Sequence, residues 1–447
     1  MTRQISLFED ATETPDLPAL SARQKRVQSH ARRSNGVADA AAFARCIRGF
    51  QDFGKSTVEI PIQVTLPDET TLSVPGFVNE FWTSAQRAAS RLHEISYRAC
   101  FKPQLPRFFI EHLTQPGARV YDPFMGRGTT LIEAALLGRV PVGCDINPLS
   151  VRLVRPRLNP PTLPEVAARL KEIDLNDSGE LWEDLLVFYH RETLGAITAL
   201  KHYLLRREKT GTLDAVDDWI GMVALNRLTG HSSGFFSVYT LPPNQATSVA
   251  AQIRINEKRQ QVPPVRDVAA IILKKSKQLL AELDAPTRRT LAGVASKTQL
   301  LTSDCSATSE LRSGSVDLVV TSPPFLDVVQ YATDNWLRCW FLGIDAHEVP
   351  ITMTSRVSRW RETMTEVLKE LHRVLKPGGY VAFEVGEVNG GKVKLEEHVI
   401  PAGVEAGLKP EFVLINDQEF TKTANCWGVD NNGKGTNTNR VVFLTKS

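Results

Sequence analysis

Four short apolar runs, each closed by a polar residue, set the tightest limit on what this chain can fold into. Ala118–Tyr121 ends in Asp122, Val140–Gly143 leads to Asp145, Gln299–Leu301 leads to Asp304, and Val316–Val320 ends in Thr321 and Ser322. Apolar runs this short, separated by glycine turns and helical stretches, suit strands of a parallel sheet buried on both faces. In an open α/β sheet, ligands bind beyond the carboxyl ends of the strands, where these polar residues would converge. One polar residue after a strand merely caps the next helix. A set of four is better explained by a site.

With 447 residues, the chain can hold one large catalytic domain with an elaborate insertion, or two domains. Residues 1–22 are acidic and rich in Pro and Thr, and read as a flexible tail. Residues 23–79 form a basic N-terminal arm, with a helix expected at Ala38–Ile47 and a strand at Val58–Leu66. Residues 80–159 carry the first part of the sheet domain, preceded by a mostly helical pattern from Glu80 to Leu113. Residues 160–296 lose the sheet rhythm; the stretch is largely helical and too long for a plain loop, so it reads as an inserted subdomain. Residues 297–447 resume the rhythm, with helices near Arg361–Leu375 and Leu395–Ala406 and strands at Tyr380–Val385, Glu411–Ile415 and Arg440–Leu444. The expected fold is α/β: a doubly wound, mostly parallel sheet with a helical insertion and an N-terminal arm.

Two motifs sit at the strand ends. Asp122-Pro-Phe-Met-Gly-Arg-Gly-Thr-Thr130 follows one strand and opens a helix. Gly126 and Gly128 would let backbone approach a ligand more closely than any Cβ allows. The helix N-terminus behind them offers unpaired N–H groups to an anionic group. A dinucleotide fingerprint has a third glycine that is missing here. Asp145, 23 residues after Asp122, stands where a second-strand acid accepts hydrogen bonds from ribose hydroxyls. The second motif is Thr321-Ser-Pro-Pro-Phe325. Its two prolines fix a rigid turn and remove two donors, which leaves a carbonyl and the Ser322 hydroxyl as acceptors. Acceptors are what the exocyclic –NH2 of a base requires, and Phe325 can stack on the base.

Together these motifs resemble the DNA amino-methyltransferases of the N4-cytosine/N6-adenine type, with their D-P-F-x-G-x-G-T-T and S/D/N-P-P-F/Y/W loops. The resemblance covers about residues 92–150 and 298–446, not the insertion. It implies a methyltransferase sheet with S-adenosyl-L-methionine as cofactor. Asp122, Phe124, Gly126 and Gly128, with Pro123 and Thr129 of the same loop, would line its methionine end. Asp145 would bind its ribose, Asp304 its adenine amino group, and Ile146 would pack on the ring. Phe101-Lys102-Pro103 resembles the family's other cofactor segment. Ser322, Pro323, Pro324 and Phe325 would be the catalytic loop, Tyr331–Leu342 the helix after it, and Lys376–Gly379 the turn into the fifth strand. The implied substrate is a base flipped from double-stranded DNA, with cytosine N4 favoured because Ser opens the loop where adenine enzymes more often have Asp or Asn. Adenine N6, an RNA base, or a silent DNA-binding role in a modification or defence complex stand as alternatives, and a partner restriction nuclease is left open. An exocyclic amine is a poor nucleophile because its lone pair is delocalised. Ser322 and the Pro323 carbonyl, accepting its two protons, would aim that lone pair at the sulfonium methyl for direct transfer.

Other signals narrow the picture. A C5-cytosine enzyme would need a thiolate, typically in a Pro-Cys pair, and the chain has none. The six cysteines are scattered without zinc spacing, so no metal is expected. No signal peptide opens the chain and no apolar run reaches membrane length, so the expected location is cytoplasmic. Gly49–Ser56 matches a phosphate loop in letters, but a helical stretch precedes it and a strand-like one follows, the reverse of what that loop needs. The formal charge is only +3, so DNA affinity must come from local patches. Arg23–Arg48 is one; the stretch 254–289, with Lys258 and Arg259, is the other and makes the insertion the expected target reader. His231 and Tyr239 are expected to pack or to position DNA, and the Asn-rich stretch 426–440, with Arg440, is a further candidate contact. Gln4-Ile-Ser-Leu7-Phe8 resembles the short peptides by which bacterial replication and repair proteins dock on the DNA sliding clamp.

Overall fold

The computed structural model describes residues 39–82, 89–98, 100–240, 246–324, 326, 331–351, 354–388, 392–417 and 438–447. Gln4, Leu7 and Phe8, the arginines of 23–33, Phe325, and 426–437 of the Asn-rich stretch lie outside the described residues.

The expected runs are strands. β3 (Arg119–Asp122), β4 (Val140–Asp145), β5 (Gln299–Thr302), β6 (Val316–Thr321) and β7 (Leu375–Val385) lie parallel in the order β7-β6-β3-β4-β5. β8 (Glu387–Val388) and β9 (Val393–Lys394) pair only with each other, while β11 (Thr438–Thr445) runs antiparallel between β7 and β10 (Lys409–Asp417). The arm contributes more than one strand. β1 (Val58–Thr65) and β2 (Thr71–Asn79) form a hairpin whose second strand pairs parallel with β10, extending the sheet to nine strands.

Helices cover both faces, because each strand alternates apolar side chains between them. On one face α1 (Ala40–Arg48) and α2 (Gln104–Leu113) pack Phe43, Phe108 and Phe109 against Val120, Leu318, Phe412 and Phe443. On the other, α12 (Val357–Val374) and α13 (Glu396–Glu405) cover Val319, Val381 and Val413. α3 (Thr129–Leu136) and α4 (Leu149–Leu158) follow β3 and β4. The insertion is helical: α5 (Leu163–Glu172), α6 (Arg191–Lys209), α7 (Ala215–Leu225), α8 (Val249–Arg259), α9 (Val268–Leu280) and α10 (Ala285–Ala295). It shares one apolar core with α3, α4 and α11 (Tyr331–Leu342), through residues such as Leu131, Leu153, Trp219, Ile272 and Phe341.

Among the described residues from Glu80 to α2, the expected helical pattern gives one 3-10 turn, Arg91–His93. Two buried arginines explain this. Arg127 donates to the His93 and Ile95 carbonyls at 3.2 and 2.8 Å, and Arg157 donates to the Leu92 carbonyl at 3.1 Å and to that of Arg127. Carbonyls spent on guanidinium groups are lost to an α-helical ladder. The segment becomes a strap that carries Tyr97 to the strand ends. Gly49–Ser56 has α1 before it and β1 after it, as the rejected phosphate loop implied. No helix among the described residues is long and apolar enough to cross a membrane.

Candidate active site

The four polar strand ends meet at one cavity of about 340 Å³, lined on its floor by Asp122, Asp145, Asp304 and Ser322. Small-molecule sites span roughly 300–1,000 Å³. Asp122 ends β3 and ties the two motifs together: its Oδ1 accepts the Phe124 N–H at 3.1 Å and the Thr321 hydroxyl at 2.6 Å. Burial pushes its carboxyl up to about 7, against the pull of those hydrogen bonds. Asp145, at the end of β4, is raised by burial as well. Its two oxygens accept the Gly126 N–H at 2.8 Å and the Asn147 N–H at 2.9 Å. The loop is therefore folded onto the acid of the neighbouring strand. Asp304 follows β5 and accepts the amide and hydroxyl of Ser306, both at 2.8 Å.

The two glycines of the first motif have different reasons to be glycine. Gly126 has φ +47° and lines the cavity; a Cβ there would lie 3.5 Å from the Tyr97 ring. Gly128 has φ +76° and caps α3 away from the cavity; a Cβ there would meet the Val154 Cγ2 of α4 at 2.3 Å. Gly128 thus serves the packing of α3 on α4 rather than the approach of a ligand. Among the other cofactor residues expected from sequence, Phe101, Pro123, Phe124, Thr129 and Ile146 line the cavity, and Lys102 does not. In the second motif, Ser322 and Pro324 line it and Pro323 is buried beside them.

Several residues at the site carried no readable signal. Trp360 of α12, which also lines the cavity, donates its indole N–H to the Pro324 carbonyl at 2.8 Å and so holds the Pro-Pro turn. Tyr97 and Tyr331 line the cavity from the strap and from the start of α11. Glu384 of β7 is buried and accepts a hydrogen bond from the Asn439 amide at 2.7 Å. Glycine and proline mark their own turns, but an indole or a carboxylate becomes functional only through a partner distant in sequence. Arg440, a candidate DNA contact in the sequence, pairs with Glu387 and Glu396 and is largely buried. Its charge is spent inside the protein.

A family model described as DNA methylase, of the N6/N4 type, matches residues 33–155. The matched segment holds the β1–β2 hairpin, the strap, the first motif and Asp145. The Type II methyltransferase M.MvaI of Kocuria varians is 32% identical over 119 residues, 26% of this chain and 24% of that protein. The Type II methyltransferase M.MjaII of Methanocaldococcus jannaschii is 33% identical over 76 residues, 17% of this chain and 14% of that protein. Each match thus spans at most 24% of the relative's own length. The rRNA methyltransferase aviRa of Streptomyces viridochromogenes superposes at a TM-score of 0.31 and 11% identity, over 82% of this chain and 94% of that one.

The residues lining the cavity suit S-adenosylmethionine in their chemistry. Asp145 keeps lone pairs for ribose hydroxyls beyond the two backbone donors it accepts. Phe101, Phe124 and Ile146 offer apolar faces to a purine, and the cradle at Gly126 has no Cβ to fill it. The buried carboxyls suit a ligand that carries ammonium and sulfonium charges.

Proposed function

We propose that this chain is an S-adenosylmethionine-dependent DNA methyltransferase acting on an exocyclic amino nitrogen of a flipped base, with cytosine N4 as the target. The observation that carries the reading is the junction of the two motifs. Thr321, next to Ser322, is hydrogen-bonded to Asp122, so the acceptor loop and the glycine loop share one cavity. When bound, the cofactor supplies an electrophilic sulfonium methyl group. Asp145 orients the ribose, while Asp304 and Ile146 hold the adenine. Ser322 Oγ and the Pro323 carbonyl accept the protons of the target amine and aim its lone pair. The Pro324 carbonyl is occupied by Trp360, which leaves the neighbouring Pro323 carbonyl for the base and keeps the turn rigid. Taking the base out of the stack costs about a few kcal/mol, which binding must supply.

The insertion is the proposed target reader. Its backbone meets the helix that leaves the catalytic loop, where the Ala246 N–H donates to the Asp334 carbonyl of α11 at 2.8 Å. Nearby, the Arg259 guanidinium lies 3.8 Å over the Tyr239 ring, and Arg254, Lys258 and Arg259 line the exposed side of α8. Nucleoside mass spectrometry of DNA treated with the enzyme and cofactor tests the function. N4-methylcytosine is the expected product, with Ser322→Ala losing far more turnover than cofactor affinity. N6-methyladenine would overturn the base assignment, and no methylated DNA would overturn the function.

A further inference from the structure

Arg127 stands between the two glycines of the first motif and is only 6% exposed. Two of its three guanidinium nitrogens are spent inside the protein. Nη1 donates to the His93 and Ile95 carbonyls of the strap at 3.2 and 2.8 Å, and Nε donates to the Thr129 hydroxyl at 3.2 Å. These acceptors are all neutral. Nη2 has no partner among the described residues. Arg127 lines the cavity, as do Gly126 and Thr129 on either side of it in the loop.

The acids on the surrounding elements are claimed by other groups. Glu133 of α3 pairs with His93 and Arg107. Glu94 of the strap pairs with Lys275 of α9, and Asp334 of α11 pairs with Arg98. Asp122 accepts the Phe124 N–H and the Thr321 hydroxyl, and Asp145 accepts the Gly126 and Asn147 N–H groups. The neighbouring Arg157 adds positive charge, and its own donors go to the Leu92, Arg127 and Leu153 carbonyls. Among the described residues Arg127 is therefore a buried cation in no ion pair. Such a charge costs stability until an anion meets it.

S-adenosylmethionine carries one anionic group, the carboxylate of its methionine end. The aspartates on the cavity floor suit its ammonium and sulfonium charges and would repel that carboxylate. On the proposed cofactor reading, we propose that Arg127 holds the methionine carboxylate of the cofactor through Nη2. The bonds from Nη1 and Nε fix the guanidinium before the ligand arrives, so little side-chain freedom is lost on binding. A charge-assisted bond to a buried guanidinium is strong and directional. The loop then sorts the cofactor by charge, with its cationic groups toward the aspartates and its carboxylate toward Arg127. A ligand without the carboxylate leaves the buried cation unmet and is rejected.

The test is calorimetric titration with two ligands, S-adenosylhomocysteine and its decarboxylated analogue, which keeps the ammonium and lacks only the carboxylate. Wild-type protein should bind the analogue about 10–100-fold more weakly, the span of a hydrogen bond to a charged group. Arg127→Gln removes the charge. It should weaken S-adenosylhomocysteine by about the same factor and leave the analogue nearly unchanged, so that the two ligands bind alike. Arg127→Lys keeps the charge and should keep part of the preference, which covers the case in which glutamine loosens the strap. Equal weakening of both ligands in both variants means that Arg127 only shapes the strap, and overturns the inference. A wild-type protein that binds the two ligands equally overturns it without any variant. A wild-type protein that binds neither overturns the cofactor reading beneath it.

Discussion

Alanine at Gly128 and alanine at Gly126 should fail in opposite ways, although the two glycines are separated by one residue. At Gly128 the backbone has φ +76°, and the new Cβ would stand 2.3 Å from Val154 Cγ2 and 3.3 Å from its Cβ and Cγ1. A left-handed conformation costs an L-residue about 1–2 kcal/mol. Forcing a methyl into a packed contact adds about 1–3 kcal/mol. The sum, about 2–5 kcal/mol, is a large part of the ~5–15 kcal/mol that holds a typical domain together. At Gly126 only the backbone term applies, since the nearest atom to a new Cβ is Tyr97 Cε1 at 3.5 Å, an ordinary contact. That methyl instead enters the cavity. Equilibrium urea unfolding and calorimetric titration with S-adenosylmethionine separate the two effects. Gly128→Ala should be strongly destabilised, and Val154→Ala in the same chain should recover the steric part, giving a coupling of about 1 kcal/mol or more in a double-mutant cycle. Gly126→Ala should stay folded and lose cofactor affinity. A Gly128→Ala protein as stable as wild type, or a Gly126→Ala protein with wild-type affinity, would refute this division of roles.

Three further outcomes are expected. Burial raises the Asp122 carboxyl to about 7 in the folded chain, above its unfolded value of ~3.9, so the stability it contributes is full below about pH 4 and lost as pH rises through about 7. Asp122→Asn should therefore flatten the fall in the unfolding midpoint of the ligand-free protein across that window, and parallel profiles would count against it. Charge reversal at Lys258 and Arg259, both exposed on α8, should weaken DNA binding and lower the log–log salt slope by about 2 if each neutralises one phosphate. An unchanged salt titration would move recognition away from α8. A labelled peptide of residues 1–15 should bind the sliding clamp of the same organism in fluorescence anisotropy and lose binding on Leu7→Ala/Phe8→Ala; no binding at about 100 μM, weak on the usual affinity scale, would remove the clamp as a partner.

Asp122, Asp145, Asp304 and Ser322 were legible as a converging set because strand ends are written locally: a short apolar run stops, and a turn residue follows. The same local grammar places β3 to β7 and the helices after them within a few residues. It misleads where a long-range contact outweighs local propensity. The strap before α2 has a helical pattern, yet its carbonyls are claimed by Arg127 and by Arg157, which lies 65 residues beyond Leu92. Arg440 reads as a surface cation in a polar stretch, yet β11 turns it toward the buried Glu396 and the half-buried Glu387. Gly128 reads like Gly126 because the letters do not say which side of a turn α4 will occupy.

The sequence alone determined where the five parallel strands and their polar ends fall, and which two loops turn on glycine and proline, since hydrophobic period, glycine and proline act on their own neighbours. Tertiary structure alone decided how those loops work together. Thr321 reaches Asp122 across 199 residues, and Trp360 reaches Pro324 across 36. A hydrogen bond depends on distance in space, and the pairing of strands sets that distance without leaving a mark in the local sequence of either partner.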